Sequence, residues 1–366
     1  MKISQIIHHL ETLAPLAYQE SYDNAGLIVG DANAEVSNIL CSLDCTEDVV
    51  NEAISKGCNL IVAHHPIVFS GLKKLTGKNY VQKTVISAIK NDIAIYAIHT
   101  NLDHVSNGVN AKICQKIGLN HPKILAPKRN ILKKLTTFVP TAHKELVLYA
   151  LSGAGAGNIG NYSHCSFTTT GEGTFMPNGK ANPHIGQANM IEKVAETRIE
   201  VMFEAHAESK ILAALKKSHP YEEVAYYVHN LENENQEVGA GMVGELPQPL
   251  SISDFLLHLK VSMGLQIIKY TKLSDSRLIR KVAVCGGAGG FLLKNAIAAG
   301  ADVFVTADYK YHEFFDAEGK IMIADIGHYE REQFTKELLV ELLTNKFPDI
   351  QSIESSVNTN PVVIFN

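Results

Sequence analysis

One pattern near the start of the chain returns near its end. Val49 to His65 closes a helix-like stretch with Ala-Ile-Ser-Lys-Gly57 and then runs Cys-Asn-Leu-Ile-Val-Ala-His64-His65; Leu292 to Asp308 closes with Ala-Ile-Ala-Ala-Gly300 and then runs Ala-Asp-Val-Phe-Val-Thr-Ala307-Asp308. The two glycines read as left-handed residues closing helices, and the apolar, β-branched runs after them as buried strands. A helix feeding a buried strand, repeated, calls for parallel pairing with right-handed crossovers. Aligned on the glycines, His65 and Asp308 fall at equivalent positions. A further apolar run follows in each half, ending at Ile98-His99 and at Ile326-Gly327-His328. Two related α/β lobes are therefore expected, with polar strand ends converging on a shared cleft, where open α/β sheets carry their sites.

The N-terminal lobe reads as strand 38–44, helix 47–56, strand 60–63, helix 81–90, strand 93–98 and helix 109–117. The C-terminal lobe reads as helix 253–263 capped by Ser251 or Ser253, strand 282–285, helix 291–299, strands 303–305 and 321–326, helix 331–343 and a closing strand 362–365. Between them the texture changes. Strand 135–140, helix 144–152, strands 165–170 and 198–203, helix 208–217 and strand 224–228 follow a β-α-β-β-α-β order, which predicts an inserted ferredoxin-like α+β domain. The division expected is 1–132, 133–233 and 234–366, and 366 residues suit two or three domains.

The net charge of -5 offers no pull toward nucleic acid or anionic lipid, and no recognition helix is evident, so a nucleic-acid partner is not expected. No apolar run is long enough to span a bilayer, and the first residues lack the pattern of a signal peptide. The six scattered cysteines form no C-x-x-C pair and read as reduced core residues of a cytoplasmic protein.

Chemistry concentrates at the strand ends. Imidazole and carboxylate without thiolate suit zinc, manganese or iron. His64 and His65 are adjacent on an extended strand end, so their rings should diverge toward two ions rather than one. His328 and Glu332 are four apart and share a face if a helix begins near Tyr329. Asp103 lies beyond a neighbouring strand and supplies a carboxylate able to bridge. Asp308 and His312 are candidates for orienting a ligand or moving a proton, Asp308 because it mirrors His65; a helix N-cap at Asp308 and a surface position for His312 are the plain alternatives. His99 reads as a hydrogen-bonding residue rather than a ligand. Gly286 to Gly290 follow a strand and open a helix, so they form either a phosphate cradle or a simple turn; neither the dinucleotide nor the P-loop spacing is present.

Five ordered blocks carry a resemblance across nearly the whole chain: Ser21-Tyr22-Asp23-Asn24-Ala25-Gly26-Leu27-Ile28-Val29-Gly30, Ala63-His64-His65-Pro66, His99-Thr100-Asn101-Leu102-Asp103, Thr306-Ala307-Asp308-Tyr309-Lys310-Tyr311-His312 and Gly327-His328-Tyr329-Glu330-Arg331-Glu332. They resemble the signature blocks of the Nif-three-like family, the GTP cyclohydrolase I type 2 homologues. Tyr22 and Ala307 depart from the Trp and Gly that many members carry, and neither is a proposed ligand. The resemblance implies a dinuclear centre of two divalent ions on His64, His65, Asp103, His328 and Glu332, a homohexamer built as a trimer of dimers, and a PII-like or CutA-like insert. It implies a metal-dependent hydrolase acting on a nucleotide or related small molecule. The alternative is a non-catalytic, metal-ordered regulatory or binding protein with a PII-like sensor domain.

Overall fold

The computed structural model describes residues 1–274 and 276–365. In chain order the strands are β1 Gly26–Val29, β2 Ile39–Ser42, β3 Leu60–Ala63, β4 Ala94–Ala97, β5 Asn120–Lys128, β6 Leu132–Pro140, β7 Phe167–Phe175, β8 Glu192–Glu204, β9 Tyr226–Leu231, β10 Asn235–Leu250, β11 Lys269–Tyr270, β12 Ile279–Val284, β13 Val303–Thr306, β14 Met322–Asp325 and β15 Ser352–Glu354. The chain divides into two compact units, Met1–Pro127 with Gln236–Asn366, and Lys128–Asn235.

The first unit holds two sheets, ordered β1-β4-β3-β2-β15 and β11-β14-β13-β12-β10-β5. In each, three consecutive strands pair in parallel (β2, β3, β4 and β12, β13, β14), and a short antiparallel strand closes the side of the third. The sequence repeat is thus a repeat of topology. Gly57 (φ +65°) and Gly300 (φ +70°) each stand two residues past their helix, in the left-handed conformation where a Cβ is costly.

All four residues of β2, β3 and β4 are buried, as expected of parallel strands covered on both faces. Successive side chains then serve different cores. Ile39, Val62 and Tyr96 share one cluster with Val282, Val303 and Met322 of the second sheet and with Leu10, Ile113, Leu259 and Leu339 from the helices between. Leu40, Ile61 and Ile95 face the other way, against Val50, Ala53, Val85 and Ala88 of the helices Glu47–Ser55 and Tyr80–Lys90. Phe304 and Ile323 do the same against Leu293 and Ala296.

The second unit has its own core, in which Leu135, Val139, Ile199 and Val201 of the sheet meet Val147, Leu151, Ile211 and Leu215 of two helices. Its four strands are antiparallel in the order β7-β8-β6-β9, and its elements alternate β-α-β-β-α-β along the chain.

Several expectations are corrected. The segment 362–365 is not a strand; Val362, Val363 and Phe365 are exposed, and the last strand is β15, parallel to β2. The helix expected over 331–343 is two, His328–Glu332 and Thr335–Lys346, and the break frees the first to serve the cleft. β1, β5, β10 and β11 were not anticipated. Five of the cysteines are buried and all six are free, but Cys165 is only half-buried. Ser251 is the cap of the helix Ile252–Ser262, accepting a hydrogen bond from Asp254 N.

Candidate metal centre

Register decides what meets at the sheet edge. Ser42 pairs with Ala63 and Ala63 with Ala97, so the three parallel strands end level. Two residues beyond these ends stand Asp44, His65 and His99. In the second sheet Thr306 pairs with Asp325, and two residues beyond stand Asp308 and Gly327, with His328 next.

Each of the four histidines here has its Nδ1 held by an acceptor. His64 Nδ1 donates to the Ile98 carbonyl at 2.8 Å, His65 Nδ1 to Asp44 Oδ1 at 2.8 Å, His99 Nδ1 to Asp23 Oδ1 at 2.8 Å, and His328 Nδ1 to Asp308 Oδ2 at 2.6 Å. Neither a carbonyl nor a carboxylate can donate, so Nδ1 carries the proton in every case and Nε2 is left to the cluster. His65 Nε2 lies 3.0 Å from Glu332 Oε2 and 3.4 Å from His328 Nε2, while His328 Nε2 lies 3.0 Å from the same oxygen.

Three overlapping triplets place one potential ligand atom per residue within 4.8 Å of one another: His64, His65 and His99; His65, His328 and Glu332; His64, Asp103 and Glu332. All five residues expected to bind metal are therefore brought together, and His99 joins them. The adjacent histidines do not diverge as expected. The chain leaves extended geometry after Ala63, and their rings tilt toward each other with centroids 4.9 Å apart.

Glu332 is common to two triplets and is fixed from behind. Its Oε1 accepts from the Gly287 amide and from Arg331 Nη2 at 3.2 Å, leaving Oε2 for the histidines. Gly287 sits at φ +72°, and a side chain on Gly286 would come 3.1 Å from Asp103 Oδ1. The Gly286 amide donates to Asn110 Oδ1, whose Nδ2 donates to the Asp103 carbonyl. The glycine run is accordingly a brace for two carboxylates, its first two amides already used.

Electrostatics mark the same residues. Burial, then the charge of His65, pushes His64 down to about 3. Burial opposes charge on His65 too, but hydrogen bonds to Asp44 and Glu332 overcome it and carry it up to about 10. The Asp308 hydrogen bond, followed by that to Glu332, lifts His328 to about 9 and holds Asp308 low. Burial and then the Glu332 carboxylate raise Asp103 to about 7. Glu332 is held well below the usual range: burial works against its charge, and the two histidine hydrogen bonds and Arg331 prevail.

The donors fit divalent cations. His64 Nε2 and Asp103 Oδ1 are buried without a hydrogen-bond partner among the described residues, which is costly unless something is coordinated there. Mixed imidazole and carboxylate groups without thiolate suit zinc, manganese or iron.

Asp308 is not a helix cap. The turn after it is a 3-10 helix, Tyr311–Ala317, capped by Lys310, and Asp308 (φ +61°) instead turns its carboxylate to His328. His312 is exposed on that turn, its ring against Tyr311 and Phe315, and is absent from the cluster and from the walls of both cavities beside it. Sequence reasoning missed Asp23 and Asp44; His99 hydrogen-bonds as expected, to Asp23, and also stands in a ligand triplet, which was not expected. The repeat held a signal for Asp44 and His99, since they occupy the strand-end position of His65 on the neighbouring strands.

The fold and this cluster define an α/β protein whose candidate metal centre lies at the C-terminal edges of two parallel-stranded sheets. The signature of Duf34/NIF3 (NGG1p interacting factor 3) matches residues 1–361, and the chain belongs to that family. It is 38% identical over 363 residues to a Bacillus subtilis protein, covering 98% of this chain and 97% of that one, and 39% identical to one from Halalkalibacterium halodurans, covering 99% of each; both are named GTP cyclohydrolase 1 type 2 homolog. The crystal structure of a Bacillus cereus protein related to NIF3 matches with a TM-score of 0.85 at 37% identity, over 100% of this chain and 99% of that one. No helix among the described residues is long and apolar enough to cross a membrane.

Proposed function

We propose that the protein is a cytoplasmic metal-dependent hydrolase with a dinuclear divalent centre. The observation carrying this reading is the common orientation of four histidines, Nδ1 anchored and Nε2 inward, around the buried carboxylates of Asp103 and Glu332. Metal-binding histidines characteristically donate their other nitrogen to a carboxylate or carbonyl, which fixes the ring and raises its basicity. His65, His328 and Glu332 would hold one ion, and His64 and Asp103 with Glu332 a second, His99 standing close to His64 and His65; the ions are zinc, manganese or iron.

When bound, the ions would supply Lewis acidity and a lowered pKa for attacking water. Asp103 and Glu332 would offset their charge. Asp44, Asp23 and Asp308 are positioning residues that hold His65, His99 and His328. The substrate is a small molecule entering the cavity beside the cluster; the names of the relatives suggest a nucleotide or a related ring compound. By the same family reasoning the protein is a homohexamer, a trimer of dimers. The antiparallel order β7-β8-β6-β9 with two helices on one face supports reading the insert as a ferredoxin-like, PII-like domain.

The separate core of that insert favours one other reading, a metal-ordered regulatory protein in which the insert senses a ligand. Metal analysis together with a hydrolysis screen separates the two. Two ions per chain and turnover abolished by Asp103→Ala support the hydrolase, two ions without turnover the regulator, and a metal-free protein neither.

A further inference from the structure

The cavity beside the cluster encloses about 1170 Å³, larger than a typical small-molecule pocket. Its walls carry Asp103 and His65 at the floor and exposed rings at the mouth: Tyr22 (68% exposed), Phe69 (52%) and Phe291 (68%). Phe69 stands edge-on to His99, ring centroids 5.7 Å apart, so it reaches from the mouth to the ligand set. The floor is the candidate metal centre itself, where Asp103 Oδ1 is buried without a hydrogen-bond partner among the described residues. Large aromatic side chains left in water around a concave site cost apolar burial, which a flat ring entering between them would restore.

Charge narrows the ligand further. Among the described residues no lysine or arginine lines this cavity, whereas Glu20, Asp44, Glu47 and Asp48 do, besides Asp103. Two divalent ions would bring four positive charges and Arg331 a fifth, and Asp103, Glu332, Asp23, Asp44 and Asp308 would cancel them. Glu47 and Asp48 then remain at the mouth, in the first turn of the helix Glu47–Ser55, whose dipole offsets only about half a charge. Sites built for nucleoside polyphosphates surround the phosphates with Lys, Arg or free backbone amides in addition to their metal ions. Here the Gly286 and Gly287 amides are already taken.

Resting on the metal-centre reading above, we infer that the site takes a planar heteroaromatic molecule, neutral or cationic, and discriminates against its phosphorylated counterparts. The ring lies among Tyr22, Phe69 and Phe291 and turns its nitrogen or oxygen donors toward the histidine and carboxylate floor.

The test is equilibrium binding by calorimetry to manganese-loaded full-length protein, with matched series as probes: nucleobase, nucleoside, monophosphate and triphosphate of guanine, adenine, cytosine and uracil, and pyridoxal against pyridoxal 5′-phosphate. At low salt at least one unphosphorylated ring should bind about tenfold or more tighter than its triphosphate, with the gap narrowing as salt screens the acidic mouth. Tyr22→Ala or Phe291→Ala should weaken that ring about tenfold without changing metal content, and Glu47→Lys with Asp48→Lys should selectively improve the triphosphate. The inference is overturned if phosphorylated members bind as tightly or tighter throughout, if no unphosphorylated ring binds, or if both aromatic variants bind like the parent. Binding is read separately from turnover: rings bound but never converted would sink the hydrolase and leave this inference standing, whereas preferential hydrolysis of phosphorylated compounds would do the reverse.

Discussion

Asp44→Asn tests whether the histidines are held for metal. Asp44 Oδ1 accepts from His65 Nδ1 at 2.8 Å, and its Oδ2 accepts from Thr359 Oγ1 at 2.5 Å. Asparagine keeps the shape but removes the charge that makes His65 Nε2 a better donor. Loss of such an outer carboxylate typically costs about 10–100-fold in metal affinity, or about 1.4–2.7 kcal/mol. The Asp44 carboxylate is 34% exposed and its His65 partner 17%, while Asp308 and its partner His328 are 47% and 40% exposed. Solvent screening therefore puts Asp44→Asn toward the upper end and Asp308→Asn near the lower. Competition with a chromophoric chelator at pH 7.5 gives both affinities, and thermal melts of the metal-free variants report folding. Equal affinities for parent and both variants, or a larger loss at Asp308, would refute the argument that these hydrogen bonds tune the ligands.

His64→Ala and Glu332→Ala should each lower metal content by elemental analysis, Glu332→Ala more because two triplets share it; unchanged content would remove the assignment. Metal uptake at pH 7 should release about two to three protons, because His65 (about 10) and His328 (about 9) start charged and Asp103 (about 7) half-protonated; calorimetry in buffers of different ionisation enthalpy counts them. In metal-free protein the raised histidine values mean stability fully present below pH 6.5 and lost as pH climbs through 9 to 10, so its melting temperature should fall over that alkaline window while the stabilisation conferred by added metal grows. Gly286→Ala should cut metal affinity by crowding Asp103, whereas Gly287→Ala, whose Cβ would make only ordinary contact with Asp103 Oδ2 (3.9 Å) and Glu332 Oε1 (4.0 Å) but at positive φ, should cost about 1 kcal/mol of stability and less affinity than Gly286→Ala; denaturant melts and chelator titrations distinguish them.

The strands that bury four residues in succession were legible because such runs have few alternatives: 60–63 was placed to the residue, and β2, β4, β13 and β14 to within two. The meeting of the five candidate residues was legible in part because histidines just after a buried strand have little structural purpose. Strands β5 and β10 were not, since their polar, glycine- and proline-bearing runs, such as Asn120-His-Pro-Lys, form strands only because a neighbour offers an edge. The inward turn of His64 and His65 was misjudged by extending strand alternation one residue beyond Ala63. Asp23 and Asp44 escaped for a different reason: each acts on a histidine more than twenty residues away, a distance in sequence that only the sheet register closes.

That register also explains why the centre needs both lobes. His64, His65, His99 and Asp103 come from the first sheet and the turns beyond it, His328 and Glu332 from the second, and the hydrogen bond between His65 and Glu332 crosses between them. Neither lobe alone supplies more than one of the three ligand triplets. An ion bound across the seam therefore stabilises the packing of the two sheets by as much as that packing improves its affinity, since binding to the folded state alone shifts the folding equilibrium by mass action. A core substitution at the seam and outside the ligand set, such as Leu339→Ala in the helix Thr335–Lys346, should loosen metal binding as well as lower stability, and added metal should restore part of the lost melting temperature. A seam variant that loses stability yet binds metal as the parent does would mean that the cluster is organised within one lobe, against the geometry described above.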